Sequence, residues 1–286
     1  MVASAGKRHD LAHWPDMFLA QVTALDPDAL GIPVIVASLG LVLIALAVSR
    51  SLGLGVEGRI GWASARAAVQ LMAVGALLAA IVDAGVGGVL AWAWIAVMIG
   101  ITVWTVRRRS SATIPGLTLA AGLAVTGSVA TSLAVAFGLG IFEATPINLI
   151  VVAGITIGNA LPSTVLAVDQ VANEADHRQG EIEALLSLGF SRAMVGRQLA
   201  PRAARSALIP QVERTKVVGL IALPGAMVGL LLAGADPIEA VTVQLLVMYL
   251  VLGTVALSVL AVVASSARQA VTPDLRLADW VRTGSV

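Results

Sequence analysis

Cysteine is absent from the 286-residue sequence, which excludes disulfides, thiolate metal sites and iron–sulfur clusters at once. Charge is also scarce, since only 12% of residues are Asp, Glu, Lys or Arg, about half of the roughly 25% typical of soluble domains. Hydrophobic residues instead make up 58% of the chain, and the mean hydropathy is +0.93. This composition predicts a protein that crosses the lipid bilayer several times, and we expect no nucleic-acid partner.

Seven nearly uncharged runs are long enough to cross a membrane as helices, which takes roughly 20 residues. None of them alternates polar with apolar residues as the strands of an outer-membrane barrel do. We therefore expect an all-α fold with about seven transmembrane helices. The runs are approximately Leu30–Val48, Ile60–Val82 (interrupted by Arg66), Ala84–Val106, Pro115–Leu139, Ile147–Val168, Val217–Ala233 and Ala240–Ala264.

Lysine and arginine fall almost entirely on one side of these predicted spans. The short connections around Asp83, Glu143 and Asp236 contain neither residue, whereas the connections on the other side are rich in arginine. Because an excess of Lys and Arg marks cytoplasmic loops, this bias places the N-terminus outside and the C-terminus in the cytoplasm. Lys7 and Arg8 are exceptions on the outer side. The expected location is the inner (plasma) membrane.

This topology divides the chain into three regions. Residues 1–29 lack the continuous apolar core of a cleaved signal peptide, and their apolar residues recur at helical spacing, which favours an extracytoplasmic amphipathic helix over a disordered tail. Residues 30–267 form the transmembrane domain, with a cytoplasmic segment at about residues 170–212. Residues 268–286 are expected to form a cytoplasmic C-terminal tail.

The segment at about residues 170–212 concentrates charge in a chain that otherwise has little. The pattern predicts a short helix at about Gly180–Leu188, a turn at Gly189–Phe190, and a second helix with Ser191 as its N-cap. Pro201 and Pro210 punctuate the second part. A cytoplasmic helix–turn–helix between two spans fits a docking surface for a soluble protein. An interfacial helix lying on anionic lipid fits the same spacing equally well.

One motif in this segment resembles a known transporter element. The letters EALLSLG, with Glu183, Ala184 and then Gly189, resemble the EAA motif of ABC-transporter permeases, in which a Glu-Ala pair precedes a glycine by this interval. The proline that usually follows the motif is matched only approximately, by Pro201.

A longer stretch begins SLGFSRAMVGRQLAPRAARSALIP and ends LLLAGADP. This stretch is similar to one particular family, the permease subunit of the bacterial iron-export ABC transporter, to which plant aluminium-tolerance permeases also belong. RAAVQLMAVG at Arg66–Gly75 and GITIGNALPSTVLAV at Gly154–Val168 resemble the same family. The resemblance covers roughly Arg59 to the last predicted span, and therefore most of the chain.

The resemblance implies a transmembrane permease domain, paired as a homodimer and bound to two copies of a cytoplasmic ABC ATPase that carries ATP and Mg²⁺. It also implies export of iron in some form. On this reading the charged segment is the coupling element that sits in the ATPase. The residues of this chain that the resemblance assigns to coupling are Glu183, Ala184, Gly189, Phe190 and Arg192.

Lysine usage independently excludes an ATP-binding P-loop in this chain. A P-loop requires a Lys followed by Ser or Thr. The sequence has only two lysines, of which Lys7 is followed by Arg8 and Lys216 by Val217. ATP is therefore hydrolysed by another chain or not used, and we expect a transport subunit without a cofactor of its own rather than an enzyme.

A small set of polar residues inside the predicted spans forms the candidate substrate pathway. Arg66 lies within the second span and Gln70 follows at i+4, on the same helical face. Arg66 either lines the inner mouth of a pathway or extends to the lipid headgroups. The fifth span carries the other polar candidates, which serve either a pathway or helix–helix hydrogen bonding; they are Asn148, Asn159, Ser163 and Thr164.

No Asp, Glu or His lies within any predicted span, although bare ferrous iron favours carboxylate or imidazole ligands. We therefore predict no metal site within the spans and expect iron to move as a complex or in another form. The acidic residues from Asp169 to Glu183, with His177, either bind a divalent ion or form a solvated linker. The alternative functions are an ABC exporter of an organic anion or sugar nucleotide and an ion-driven secondary transporter, which also lacks a P-loop.

Overall fold

A computed structural model of the protein describes residues 32–83, 87–110 and 113–282. The predicted amphipathic helix at residues 1–29 lies outside these ranges. The described residues are organised as α-helices joined by turns, as the all-α prediction requires. The helices are α1 (Ile32–Ser51), α2 (Glu57–Asp83), α3 (Gly87–Arg109), α4 (Leu117–Gly138), α5 (Pro146–His177), α6 (Gln179–Ser187), α7 (Arg192–Val217), α8 (Gly225–Leu232), α9 (Pro237–Arg268) and α10 (Asp279–Arg282).

Five of these helices, among the described residues, are long and apolar enough to cross a membrane: α2, α3, α4, α5 and α9. The two longest, α5 and α9, have 32 residues each and extend about 48 Å at about 1.5 Å per residue. The hydrocarbon core of a bilayer is only about 30 Å thick. Both helices therefore continue beyond the spans predicted from hydropathy.

The described chain divides into two compact units, of which the first comprises residues 32–80 and 226–240. It contains α1, most of α2 and nearly all of α8. Between α1 and α2 the chain turns through Gly53 and Gly55, whose φ angles of 65° and 68° are in the left-handed region that glycine adopts without a steric penalty. The Ser49 hydroxyl donates a hydrogen bond of 2.8 Å to Oε1 of Glu57 and joins the end of α1 to the start of α2.

The predicted sixth span, Val217–Ala233, is not a single helix. The helix α7 ends at Val217, the chain then turns through Gly219 with φ of 86°, and Pro224 precedes the eight-residue α8. Eight residues extend about 12 Å, which is less than half the hydrocarbon thickness. A proline and a left-handed glycine stop a helix locally, even where the surrounding composition is apolar.

The second unit comprises residues 81–225 and 241–282 of the described chain and is built around α5. This helix packs against α3, α4 and α7. Ala153, Ala160 and Ala167 are fully buried along it, and their small side chains let neighbouring helices approach closely. One apolar cluster joins α5 to α7, α9 and the residues after α9, and a second joins α3, α4 and α5.

Two buried hydroxyl pairs connect α9 to its neighbours within this unit. Ser132 on α4 hydrogen-bonds Thr254 on α9. Thr164 on α5 lies 2.8 Å from the Ser258 hydroxyl on α9 and donates to the Ala160 carbonyl within its own helix. Such bonds between helices hold membrane bundles together because the surrounding lipid offers no competing partner.

The residues after α9 pack against the unit. Val281 on α10 is 1% exposed, and its carbonyl accepts a 2.9 Å hydrogen bond from Nε2 of Gln179 at the start of α6. Trp280 Nε1 donates to the Gln269 carbonyl at 3.2 Å. In its described part, the expected C-terminal tail is therefore a docked segment beside the helix–turn–helix.

Candidate coupling and transport sites

The helix–turn–helix lies where the sequence predicts it, and its turn has a specific hydrogen-bond pattern. The Phe190 N–H donates to the Leu185 carbonyl and the Gly189 N–H to the Leu186 carbonyl, both at 3.0 Å. Gly189 has φ of 83°. These are the bonds and the left-handed glycine of a Schellman motif, which ends a helix by satisfying its last carbonyls. The predicted turn at Gly189–Phe190 is therefore confirmed.

The backbone at the start of α7 agrees with the predicted N-cap at Ser191, whereas the Ser191 side chain does not. Ser191 has the extended backbone of an N-cap residue (φ −77°, ψ 161°), yet its side chain makes no capping hydrogen bond. Pro201 and Pro210 lie inside α7, which continues through both of them to Val217. The helix bends or weakens at a proline because one backbone hydrogen bond is missing there.

An apolar surface with one acid surrounds the turn. Leu188 is 75% exposed and Met194 is 45% exposed, and Glu183, Ala184 and Gly189 are exposed beside them. We call these five residues the turn surface. Large apolar side chains at such exposure mark an interaction surface when they cluster.

Two predicted coupling residues lie behind the turn surface. Phe190 is half-buried and packs against the main apolar cluster, which fixes the turn to the body of the second unit. Arg192 is also half-buried, and its Nε is buried without a hydrogen-bond partner among the described residues. These two side chains support the turn from within rather than forming its outer face.

Arg178, at the junction of α5 and α6, ties the helix–turn–helix to the transmembrane helix. Its Nη1 lies 3.1 Å from Oε1 of Glu174 and donates at 3.2 Å to the Gln198 carbonyl on α7, and its Nε donates at 2.7 Å to Oε2 of Glu181 on α6. The hydrogen bond from Arg178 lowers the pKa of Glu181 and raises that of Arg178 itself. One guanidinium therefore holds three helices, since its fork satisfies several acceptors at once.

A polar cleft lies further along the same two helices, between α5 and α7. Arg214 Nη1 donates a 3.0 Å hydrogen bond to Oδ1 of Asn159, and Asn159 Nδ2 donates at 2.8 Å to the Ile155 carbonyl. The amide is thereby fixed with its oxygen toward the guanidinium. The cleft has a volume of about 90 Å³ and is lined by Asn159, Pro162, Ser163, Leu166, Pro210, Gln211 and Arg214.

The helices α5 and α7 run antiparallel, because Arg178 meets Gln198 at one end and Asn159 meets Arg214 at the other. Asn159 lies about 20 Å along the axis from Pro146, the first residue of α5, at about 1.5 Å per residue. A helix that enters a 30 Å hydrocarbon core at its first residue places Asn159 in the second half of the bilayer.

Charged residues at the depth of Asn159 indicate that water reaches this part of the helix bundle. Glu213 and Lys216 form an exposed ion pair of 2.7 Å next to Arg214. A charge exposed to lipid costs about 2.5–3.5 kcal/mol on insertion scales, so such residues nearly always face the bundle interior or a water-filled cavity. The last turns of α7 therefore fit the wall of an aqueous cavity better than a lipid contact.

The structure brings some of the predicted pathway residues together and separates others. Asn159 and Ser163 share the cleft. Thr164 faces α9 through its bond to Ser258. Asn148 lies in the first turn of α5, where its backbone N–H donates to the Thr145 hydroxyl and its Nδ2 to the Glu143 carbonyl at 2.9 Å. Thr145 is therefore the N-cap of α5, and the Asn148 side chain joins the first turn of the helix to the loop before it.

Arg66 and Gln70 lie on α2, as predicted, and both are exposed. They belong to the first unit, whereas the four pathway candidates of the fifth span belong to the second.

Two arginines carry contacts that the sequence reading missed. Arg178 has a local signal, since Glu174 precedes it by four residues and Glu181 follows it by three, the spacings at which helical side chains meet. Arg214 has no such signal, because its partner Asn159 lies 55 residues away in sequence.

Two members of the acidic run before the turn make arginine contacts. Glu174 and Glu181 bind Arg178, and Glu174 also lies 3.5 Å from Arg202. Within residues 32–83, 87–110 and 113–282, no three His, Asp or Glu side chains are grouped closely enough to hold a metal ion.

Several apolar helices of spanning length, among the described residues, define a multi-pass membrane protein. The chain belongs to the uncharacterised protein family UPF0014, which matches residues 33–271. The family predicted from the sequence is therefore confirmed.

Three relatives illustrate the family. The chain is 34% identical over 218 residues to the UPF0014 membrane protein YjkA of Bacillus subtilis, covering 76% of this chain and 86% of the relative. It is 31% identical over 221 residues to the probable iron export permease protein FetB of Escherichia coli (77% and 85%). It is 30% identical over 222 residues to the protein ALUMINUM SENSITIVE 3 of Arabidopsis thaliana (78% and 81%). No solved structure matches the chain significantly.

Proposed function

We propose that this chain is the transmembrane subunit of an ATP-driven ABC exporter that moves iron in some form out of the cytoplasm. The observation that carries the proposal is the helix–turn–helix, whose turn surface is exposed while Arg178 holds its base to α5 and α7. A rigid exposed turn with apolar side chains is suited to dock on a soluble partner. That partner is an ABC ATPase, which supplies ATP and Mg²⁺.

Two hydrogen bonds between α5 and α7, Arg178–Gln198 and Arg214–Asn159, connect the docked turn to the proposed transport path. Arg178 connects the turn to α5, and α7 continues from the turn to the cleft at Asn159 and Arg214. A movement imposed at the turn therefore reaches bilayer depth through one packed pair of helices. The physical basis of coupling is an element with two arrangements whose balance both sites change, and this pair of helices is our candidate for that element.

The resemblance and the charge pattern support a proposed arrangement of the assembly. Two copies of this chain form a homodimer in the inner membrane, each with its helix–turn–helix on the cytoplasmic side. The charge bias supports this orientation, with the N-terminus outside and the C-terminus in the cytoplasm. The substrate assignment is supported by FetB of Escherichia coli, which is named a probable iron export permease.

Arg214 favours a second candidate, export of an organic anion or sugar nucleotide. Its guanidinium at bilayer depth is held by a neutral amide, and a cationic group in a transport path attracts anions. ATP hydrolysis in reconstituted vesicles separates the two candidates: stimulation by iron compounds supports the first, and stimulation by metal-free anions supports the second.

Coupling is tested by a pair of variants at Gly189. Gly189→Trp places a bulky side chain on the turn surface and in a left-handed backbone conformation, so we expect an ATPase to stop co-purifying and transport to fall while membrane insertion stays normal. Gly189→Asn is the matched control, since asparagine tolerates this conformation and stays small. Wild-type transport by the Trp variant would contradict docking at this turn.

A further inference from the structure

We infer that Arg214 and Asn159 form an oxyanion-binding site, which takes a carboxylate or phosphate group of a ligand in the cleft between α5 and α7. The inference rests on the proposed function only in placing this cleft on a transport path. The binding chemistry follows from the hydrogen-bond capacity of one guanidinium, the charges around it and the space beside it.

The first argument is the unused hydrogen-bond capacity of Arg214. A guanidinium has five N–H donors in a planar fork, and among the described residues Arg214 makes one hydrogen bond, to Oδ1 of Asn159. Nδ2 of the same amide is already engaged by the Ile155 carbonyl, so the amide oxygen keeps the guanidinium in place. The fork is thereby positioned, and the exposed side chain keeps its other donors accessible to a ligand.

The second argument is charge. Within the described residues, Arg214 is paired with no carboxylate, because the neighbouring Glu213 is bound to Lys216. Arg178 on the same pair of helices provides the comparison, since it contacts two carboxylates and a carbonyl. The charge of Arg178 is neutralised by carboxylates of the protein, whereas the positive charge of Arg214 is left for a ligand.

The third argument is the space and chemistry of the cleft. Its volume of about 90 Å³ accommodates one small polar group, and the buried Ser163 and Gln211 line it beside Arg214. Bidentate hydrogen bonding to an arginine fork is the geometry that carboxylates and phosphates share. The ligand group is therefore an oxyanion, and its source is either a soluble compound in transit or a lipid headgroup.

The decisive variant is Asn159→Asp, which preserves the side chain's size but puts a carboxylate 3.0 Å from the guanidinium. The internal ion pair then occupies the site, so binding of citrate and of pyrophosphate should weaken about tenfold or more. Arg214→Lys should also weaken binding, because an ammonium cannot match a bidentate group. Arg205→Gln, which removes an exposed arginine of the same helix, should leave binding unchanged.

The measurement is calorimetric titration of the full-length protein in phosphatidylcholine nanodiscs with citrate or pyrophosphate, with and without phosphatidylglycerol. Saturable binding that is unaffected by phosphatidylglycerol supports a soluble oxyanion. Binding suppressed by phosphatidylglycerol but restored without it supports the same site with a lipid phosphate as its occupant. Failure of the wild type to bind either probe, or wild-type affinity in Asn159→Asp, overturns the inference.

This titration needs no ATPase, so its outcome is separate from that of the proposed function. A protein that binds citrate but recruits no ATPase refutes the exporter and keeps the site. A protein that couples to an ATPase but binds neither probe keeps the exporter and refutes the site.

Discussion

Gly196, on the buried face of α7, provides a sharp test of how the helix–turn–helix is connected to the membrane bundle. A Cβ added at this position lies 3.1 Å from Cγ of Arg268, 3.2 Å from its backbone N and 3.3 Å from its Cα. The side-chain atom can rotate away, but the two backbone atoms cannot. Because two of these three atoms are backbone, we expect Gly196→Ala to move α7 a few tenths of an ångström from the end of α9.

The expected cost follows from the general penalty for overpacking a closely packed interior. Inserting one methyl group against backbone costs about 1–3 kcal/mol, and the gain of about 0.4–1 kcal/mol that a Gly→Ala change brings within a helix offsets part of this cost. Gly180→Ala is the matched control, since it lies in α6 of the same helix–turn–helix and its Cβ meets nothing within 4 Å. The control should be neutral or stabilising by about 0.4–1 kcal/mol, because alanine has less freedom to lose on folding than glycine.

Thermal unfolding of both variants in the same detergent measures the difference directly, and ATP-dependent export in vesicles shows whether separating α7 from α9 also weakens coupling. We expect Gly196→Ala to unfold at a lower temperature than the wild type, and Gly180→Ala to unfold at the same or a higher temperature. Equal stability of Gly196→Ala and Gly180→Ala would refute the close approach of α7 to Arg268, and with it the reasoning about this connection.

Two further predictions concern topology and pH. Because the chain has no cysteine, a cysteine introduced at Asp236 should react with an impermeant thiol reagent in sealed cells, whereas one at Arg108 should react only after the membrane is opened; labelling at Arg108 in sealed cells would refute the orientation. The hydrogen bond from Arg178 lowers the pKa of Glu181 below its ordinary value of 4.5, so this contact should stabilise the helix–turn–helix at neutral pH and lose its contribution only as the pH falls through the lowered pKa. The protection factors of residues 179–190, corrected for the pH dependence of intrinsic amide exchange, should therefore stay constant around neutral pH and fall in acid, and Glu181→Gln should remove this acid step.

The turn was predictable because its signals are local. Gly189 follows a helical pattern and precedes Ser191, and glycine at this position is the common way for a helix to end. The spans were predictable for the same reason, since each is defined by the composition of one continuous stretch.

Hydropathy nevertheless gives the limits of the membrane rather than the limits of a helix. The predicted fifth span ends at Val168 because Asp169 follows, whereas α5 continues to His177. Conversely, the apolar run Val217–Ala233 averages over Gly219 and Pro224, where the backbone turns. In both regions, the backbone follows local conformational preferences that a hydropathy average does not contain.

Of the two residues that meet at the candidate transport site, only Asn159 was predicted from the sequence. Asn159 stands out as an amide in an apolar helix, but its partner Arg214 lies in a segment whose charges predict a cytoplasmic location. Only the antiparallel packing of α5 and α7 brings that segment back to bilayer depth. Contacts of this kind depend on tertiary structure, and no local pattern in a single sequence predicts them.

The two prolines that line the cleft give its helices a common axis of bending. Pro162 in α5 and Pro210 in α7 lie in the same cleft wall, and each lacks the amide hydrogen that would bond the carbonyl four residues earlier. Both helices are therefore most compliant at the height where Asn159 meets Arg214, while Arg178 clamps them at the other end. We therefore expect a force applied at the clamped end of this pair to change the width of the cleft.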